Sequence, residues 1–162
     1  MRKTATQSRV FNGPKQLSHL YETDEAAWLE RSIELLRHGH YEELDSANMI
    51  DCLEALLMSQ KREVKRRLVS LMAHLLKWQF QPTRRSNSWR RTIFNQRFEL
   101  STIFDSKTLK NHALEILPWA YPRAVKKAMV ETGQDRSSFP ADCPYTFAFL
   151  VSDELPESGG RE

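Results

Sequence analysis

A helical period that starts at Ser46, holds to Phe80 and is stopped by Pro82 does most to decide what this chain can fold into. Ile50, Val64, Leu71 and Trp78, with Leu53, Leu57, Leu68 and Leu75 beside them, recur at the spacing of one helix face. Pro82 lacks the amide that a helix interior needs and biases Gln81 away from the helical region, so the helix is expected to end near Phe80 or Gln81. A single rod over residues 46–80 would be about 50 Å long at roughly 1.5 Å per residue. A compact domain of this size is only about 40 Å across. A break is therefore expected at the polar patch Ser59, Gln60, Lys61 and Arg62, with Ser59 as a weak N-cap.

The remaining segments also read as helices. Thr23 is placed to cap a helix over residues 24–38, with Leu29, Ile33 and Leu36 as its buried stripe and Gly39 as its left-handed stop. Asp45 or Ser46 caps the next start. Beyond Pro82, one of Ser86, Asn87 and Ser88 caps a helix to about residue 104 that carries Trp89, Ile93 and Leu100 along one side. Asp105 or Ser106 opens another to about 117, and residues 119–132 form a further one with Ala124, Val125, Ala128 and Met129 inward, closed by Gly133. Pro122 is tolerated there if it lies in the first turn. Residues 134–143 read as a loop, and Pro144 suits the start of a short last helix with Tyr145, Phe147, Phe149 and Leu150. The expectation is an all-α, single-domain helical bundle of about six to seven helices. Residues 1–20 read as a flexible basic leader, 21–151 as the helical domain and 152–162 as a flexible, frayed tail.

Composition narrows the function classes. With 40% hydrophobic and 28% charged residues and a mean hydropathy of −0.59, the 162 residues describe a soluble globular chain. No apolar run approaches the roughly 18 residues a membrane helix requires, so no membrane partner is expected. Cys52 and Cys143 form no C-x-x-C pair, which argues against a zinc ribbon or a disulfide scaffold and fits a reducing cytoplasm. His38 and His40 straddle the Gly39 stop, and His19, His74 and His112 add no ligand spacing, so no metal site is expected. No Walker or dinucleotide glycine pattern is present and no cofactor is expected.

Charge is segregated along the chain. Residues 22–54 hold ten acids against Arg31 and Arg37, a net of −8, and residues 61–97 hold eleven bases against Glu63, a net of +10. The two segments are expected to neutralise each other, for instance through Lys61, Lys65 and Arg66 against Glu30, Glu34 or Glu54. The base-rich segment is also where aromatic side chains gather, around a corner at Pro82: His74, Lys77, Trp78 and Gln81 before it, Arg84, Arg85, Trp89 and Arg90 after it. His74, Trp78 and Gln81 share one helix face. These eight residues are the candidate binding surface, and no catalytic residue is assigned.

The stretch LLKWQFQPTRRSNSWRRTI, together with YETDEAAW at 21–28, ELDSANMI at 43–50, AYPRAVKKAMVETG at 120–133 and FPADCPYTF at 139–147, resembles a bacterial domain-of-unknown-function family, number 29. The resemblance covers about residues 21–156 and implies an all-helical fold with no assigned activity. Relatives tend to carry an acidic run ending in Gly-x-Ser-Glu, where this chain has Asp51, Cys52, Leu53 and Glu54 followed by residues 57–60.

Three readings follow. The favoured one is a non-enzymatic module of the bacterial cytoplasm that binds another protein through the Trp- and Arg-bearing corner, because Trp and Arg are the residues most enriched at interface hot spots. The second is a nucleic-acid binder that uses the basic 61–97 segment, with arginines on phosphates and bases stacked on indoles. The third is an enzyme with His74 as acid or base and Lys77 or Arg84 holding an anionic substrate, which requires a concave pocket around His74. Oligomeric state is not legible.

Overall fold

The computed structural model describes residues 13–159, and these carry seven α-helices and no strand, so the chain is all-α as expected. They are α1 (Gly13–Thr23), α2 (Glu25–His38), α3 (Ser46–Phe80), α4 (Asn87–Ile103), α5 (Lys107–Glu115), α6 (Leu117–Thr132) and α7 (Phe147–Leu150). The chain parts into two compact units, one ending at Leu57 and one beginning at Met58, and α3 contributes to both. No interruption occurs at Ser59, Gln60, Lys61 and Arg62. The expected break assumed one compact body of limited width. A helix that serves two units has no such limit, and glutamine, lysine and arginine are good helix formers.

In the N-terminal unit, Asp24 rather than Thr23 caps α2, its carboxylate accepting the Ala27 amide at 3.1 Å. Gly39 ends α2 at a φ of 74°, a conformation only glycine adopts cheaply. The core here is small: Leu17 of α1 and Trp28 and Leu35 of α2, with Leu20, Tyr21, Leu44, Met49 and Cys52 packed against them. The Tyr21 and Trp28 rings meet edge to face at 4.9 Å. The expected stripe of α2 is rotated by one residue, so that Trp28, Ser32 and Leu35 are buried while Leu29, Ile33 and Leu36 are exposed. Both sets have helix-face spacing, and burying the large Trp28 ring decides between them. Asp45 starts α3, accepting from the Asn48 amide at 3.4 Å and from its side chain at 2.6 Å.

Residues 13–20, assigned to a leader from their composition, form most of α1, held by Leu17 in this core. The rest of that expectation, residues 1–12, lies outside the described residues.

In the C-terminal unit, α3 is the central rod. From Leu71 to Lys77 every residue except His74 is buried, and a helix apolar nearly all round must be enclosed by its neighbours. Ile93 and Leu100 of α4, Leu109 and Ala113 of α5, and Ala120, Ala124, Val125 and Ala128 of α6 join Val64, Leu68, Leu71, Met72, Leu75 and Leu76 in one core. Ser86 and Ser106 cap α4 and α5, accepting from the Trp89 and Leu109 amides at 3.2 and 3.4 Å. Pro122 lies inside α6 without breaking it, and Gly133 closes that helix at a φ of 71°. The last helix begins later than Pro144 suggests: Thr146 caps it, accepting the Phe149 amide at 3.2 Å, and Tyr145 stays outside, its hydroxyl donating to Gln79 Oε1 at 2.8 Å.

The described part of the expected frayed tail, residues 152–159, is instead fastened to this unit. Leu155 packs on the core, Pro156 is buried, and the Gly159 amide donates to the Gln79 carbonyl at 3.0 Å. A Cβ on Gly159 would lie 2.6 Å from Cε1 of Phe80, so a larger residue there would have to displace that ring. Residues 160–162 lie outside the described residues.

Candidate functional site

Pro82 stops α3 as expected, and one turn of 3-10 helix (Pro82–Arg84) separates Gln81, at φ −132°, from Ser86, the N-cap of α4. The eight corner residues therefore come from the last two turns of α3, this short connection and the first turn of α4. They do not form a single cluster.

One group centres on Lys77. Its ammonium is buried, pairs with the Glu131 carboxylate of α6 and lies 4.9 Å from the centroid of the Trp89 ring. Lys127 stands 3.9 Å from the same carboxylate. A buried ammonium is stable only when a counter-charge meets it, and Glu131, which nothing in the sequence pattern singled out, supplies that charge. Burial pushes the Glu131 carboxyl up, but the hydrogen bond and charge of Lys77 more than offset this and hold it below its ordinary value. His74, half-buried one turn earlier, places Nδ1 2.9 Å from the Ser70 carbonyl. A carbonyl only accepts, so Nδ1 carries the hydrogen. Desolvation lowers the His74 pKa, aided by the positive charge of Lys77, so the ring is neutral at neutral pH.

The other group centres on Trp78. Arg85 and Arg90 lie over its ring at 5.0 and 5.9 Å from the centroid. Arg85 Nε donates to the Trp78 carbonyl at 2.9 Å, satisfying a helix-end acceptor, and its Nη2 donates to Ser158 Oγ at 2.9 Å. Trp78 and Trp89 are both half-buried. Gln81 is buried, and its Oε1 finds no hydrogen-bond partner among the described residues. Arg84 is exposed.

Many of the remaining bases of residues 61–97 are matched within their own unit. Arg66 and Arg67 pair with Glu63, Arg67 also with Glu99 at 3.2 Å, and Lys65 lies over the Trp119 ring at 5.2 Å. Arg97 is buried in α4 and donates to the Leu150 and Phe149 carbonyls at 3.1 and 3.0 Å, closing the C-terminal end of α7. Read in sequence as part of a basic patch, it is a structural cap.

Arg84, Arg90 and Arg91 stay on the surface, and α4 extends that surface in a way the helical pattern did not single out. Phe94 and Phe98, four residues apart, are 63% and 61% exposed and stack with centroids 6.4 Å apart and planes 17° from parallel. A cleft of about 650 Å³ is lined by Asn87, Ser88, Arg90, Arg91 and Phe94. The missed signal was the second apolar line of α4, one residue out of phase with Ile93, Arg97 and Leu100.

Among the described residues, no three His, Cys, Asp or Glu side chains gather to hold a metal ion, and no helix is long and apolar enough to cross a membrane. Comparison with curated proteins and with solved structures gave no match. The family described as domain of unknown function DUF29 matches residues 20–155, most of the chain, and the protein belongs to that family.

Proposed function

We propose that the chain works by binding another protein, through the face that begins at Arg84 in the corner and continues along α4 through Arg90, Arg91, Phe94 and Phe98. The observation that carries this reading is the exposed Phe94–Phe98 stack beside two exposed arginines. Leaving two phenyl rings in water costs on the order of 2 kcal/mol each relative to burial, and a docked partner recovers that. Arginine and aromatic side chains are also the residues on which interface affinity concentrates. The charges and rings of Lys77, Trp78, Arg85 and Trp89 are already engaged with Glu131, with Ser158 and with one another, which leaves the α4 side chains to the partner. The same engagement commits Lys77 to Glu131 rather than to an anionic substrate beside His74. Free Cys52 and Cys143 fit a reducing cytoplasm.

Nucleic acid is the second reading, favoured by the same near-parallel rings, on which single-stranded bases stack. Capture from the native host's lysate, with and without nuclease, separates the two. A protein retained after nuclease treatment, and lost on substituting Phe94→Ser with Arg91→Ala, supports the first. Capture abolished by nuclease, with a steep salt dependence, moves the function to nucleic acid.

A further inference from the structure

A second cleft, of about 380 Å³, is lined by Arg90, Ile93, Phe94 and Arg97 of α4 and by Asp153 and Leu155 of the segment that follows α7. Clefts that hold small molecules begin at about 300 Å³. Its lining offers three kinds of surface: Ile93, Phe94 and Leu155 are apolar, Arg90 and Arg97 are cationic, and Asp153 is anionic. Arg97 is buried, and its Nε and Nη2 are spent on the Leu150 and Phe149 carbonyls, while Nη1 makes no hydrogen bond among the described residues. Arg90 is exposed, with its guanidinium 5.9 Å from the Trp78 centroid. Asp153 is held from both sides. The Ser152 hydroxyl donates to the Phe149 carbonyl at 3.0 Å and accepts the Glu154 amide at 3.3 Å, Leu155 packs on the core and Pro156 is buried. Burial lowers the Arg97 pKa, and the charges of Asp153 and then Glu154 raise it, so both acids lie within its field. Yet none of Arg90, Arg97, Asp153 and Glu154 forms an ion pair among the described residues. Opposite charges thus line one cleft without closing on each other.

We propose that this cleft binds a free α-amino acid with an apolar side chain, its carboxylate on Arg90 and Arg97, its ammonium on Asp153 and its side chain against Ile93, Phe94 and Leu155. Separated charges of both signs beside apolar surface are the complement of a zwitterion, whereas a ligand of one sign is attracted at one edge and repelled at the other. A guanidinium gives a carboxylate two parallel hydrogen bonds, and a buried one is little screened by salt. Exposed Glu154 strengthens the negative edge. A residue inside a polypeptide carries neither terminal charge and a chain terminus carries one, so the lining selects the free amino acid over a protein segment. A phosphate group meets Asp153 with like charge. Arg90 and Phe94 also belong to the face proposed for a partner, but the small molecule needs no partner there.

The test titrates the full chain with L-leucine, read by calorimetry and by the amide chemical shifts of residues 93–97 and 153–155. Three further compounds are compared with it: isocaproate, which lacks the ammonium, isoamylamine, which lacks the carboxylate, and glycine, which lacks the side chain. Leucine is expected to bind saturably with a dissociation constant of about 1 mM or below, at least about tenfold more tightly than each of the three. Asp153→Asn is expected to erase the preference for leucine over isocaproate and to keep that over isoamylamine. Arg90→Gln is expected to narrow the preference over isoamylamine and to keep that over isocaproate. Both side chains are exposed, so the fold should be retained, and a purely structural defect would move the two preferences together. No saturable binding below about 10 mM overturns the proposal. So does isocaproate bound as tightly as leucine, which marks a simple carboxylate site, or variants that leave both preferences intact.

Discussion

The leucines of α3 behave in opposite ways in the two units. Leu68, Leu71, Leu75 and Leu76 are fully buried, whereas Leu53, Leu56 and Leu57 on the same helix are largely exposed. Local sequence is equally helical and equally leucine-rich in both halves, so what differs is the company each half keeps. In the C-terminal unit α4, α5 and α6 surround the helix. In the N-terminal unit three buried side chains hold the core. Helical periodicity states that a face can be buried; it does not state that the chain supplies the cover.

The largest test of this contrast is Trp28→Ala. Removing the main side chain of the smaller core is expected to cost about 3–5 kcal/mol, enough to open that unit while the other stays closed. Hydrogen exchange checks it: amides of residues 17–35 should exchange rapidly while those of 64–76 keep their protection. Leu71→Ala is expected to lower global stability by roughly 2–5 kcal/mol in urea titration, and Leu53→Ala by no more than about 0.5 kcal/mol. Equal costs would erase the distinction between the two halves of α3.

Glu131→Gln is next, at about 1–3 kcal/mol, because it leaves Lys77 buried against a neutral partner while the carboxylate it removes is itself partly exposed. The folded-state pKa of Glu131 lies below the ordinary 4.5, so its contribution is complete above that value and disappears as pH falls through the depressed one. Urea midpoints of the variant should therefore lose part of the acid limb that the wild type shows. His74→Gln has the smallest expected effect. With a folded pKa below 6.5, His74 takes up its proton later than the unfolded chain does, so stability is intact above pH 6.5 and declines as pH falls beneath it. His112 is depressed in the same direction, by burial and then by Lys61 and Lys65. The variant is thus expected to flatten, without abolishing, the fall in urea midpoint just below pH 6.5.

Helix ends were the most legible part of the fold. Ser86, Ser106, Gly39 and Gly133 act where short-range chemistry placed them, because a cap needs only its own neighbours. The choice between two helix faces was not legible: residues 28, 32 and 35 compete with 29, 33 and 36 on α2, and 93, 97 and 100 with 94 and 98 on α4. The winner is decided by tertiary partners. The Pro82 corner was anticipated, but the match of Lys77 with Glu131 joins residues 54 apart, and no periodicity reports such a pairing. The fastening of residues 152–159 was equally hidden, since it rests on isolated contacts with no period: Leu155 on the core, Ser158 on Arg85 and the Gly159 amide on the Gln79 carbonyl.

The continuity of α3 also bears on the order in which the chain acquires its structure. Starting a helix is unfavourable by a factor of about a thousand, whereas adding a residue to an existing turn is nearly free. Once the enclosed half between Val64 and Leu76 is in place, growth toward Ser46 requires no second start, and α1 and α2 then condense on a ready-made rod. A proline inserted near residue 60 would remove that template, leaving the smaller core to begin its own helix unaided.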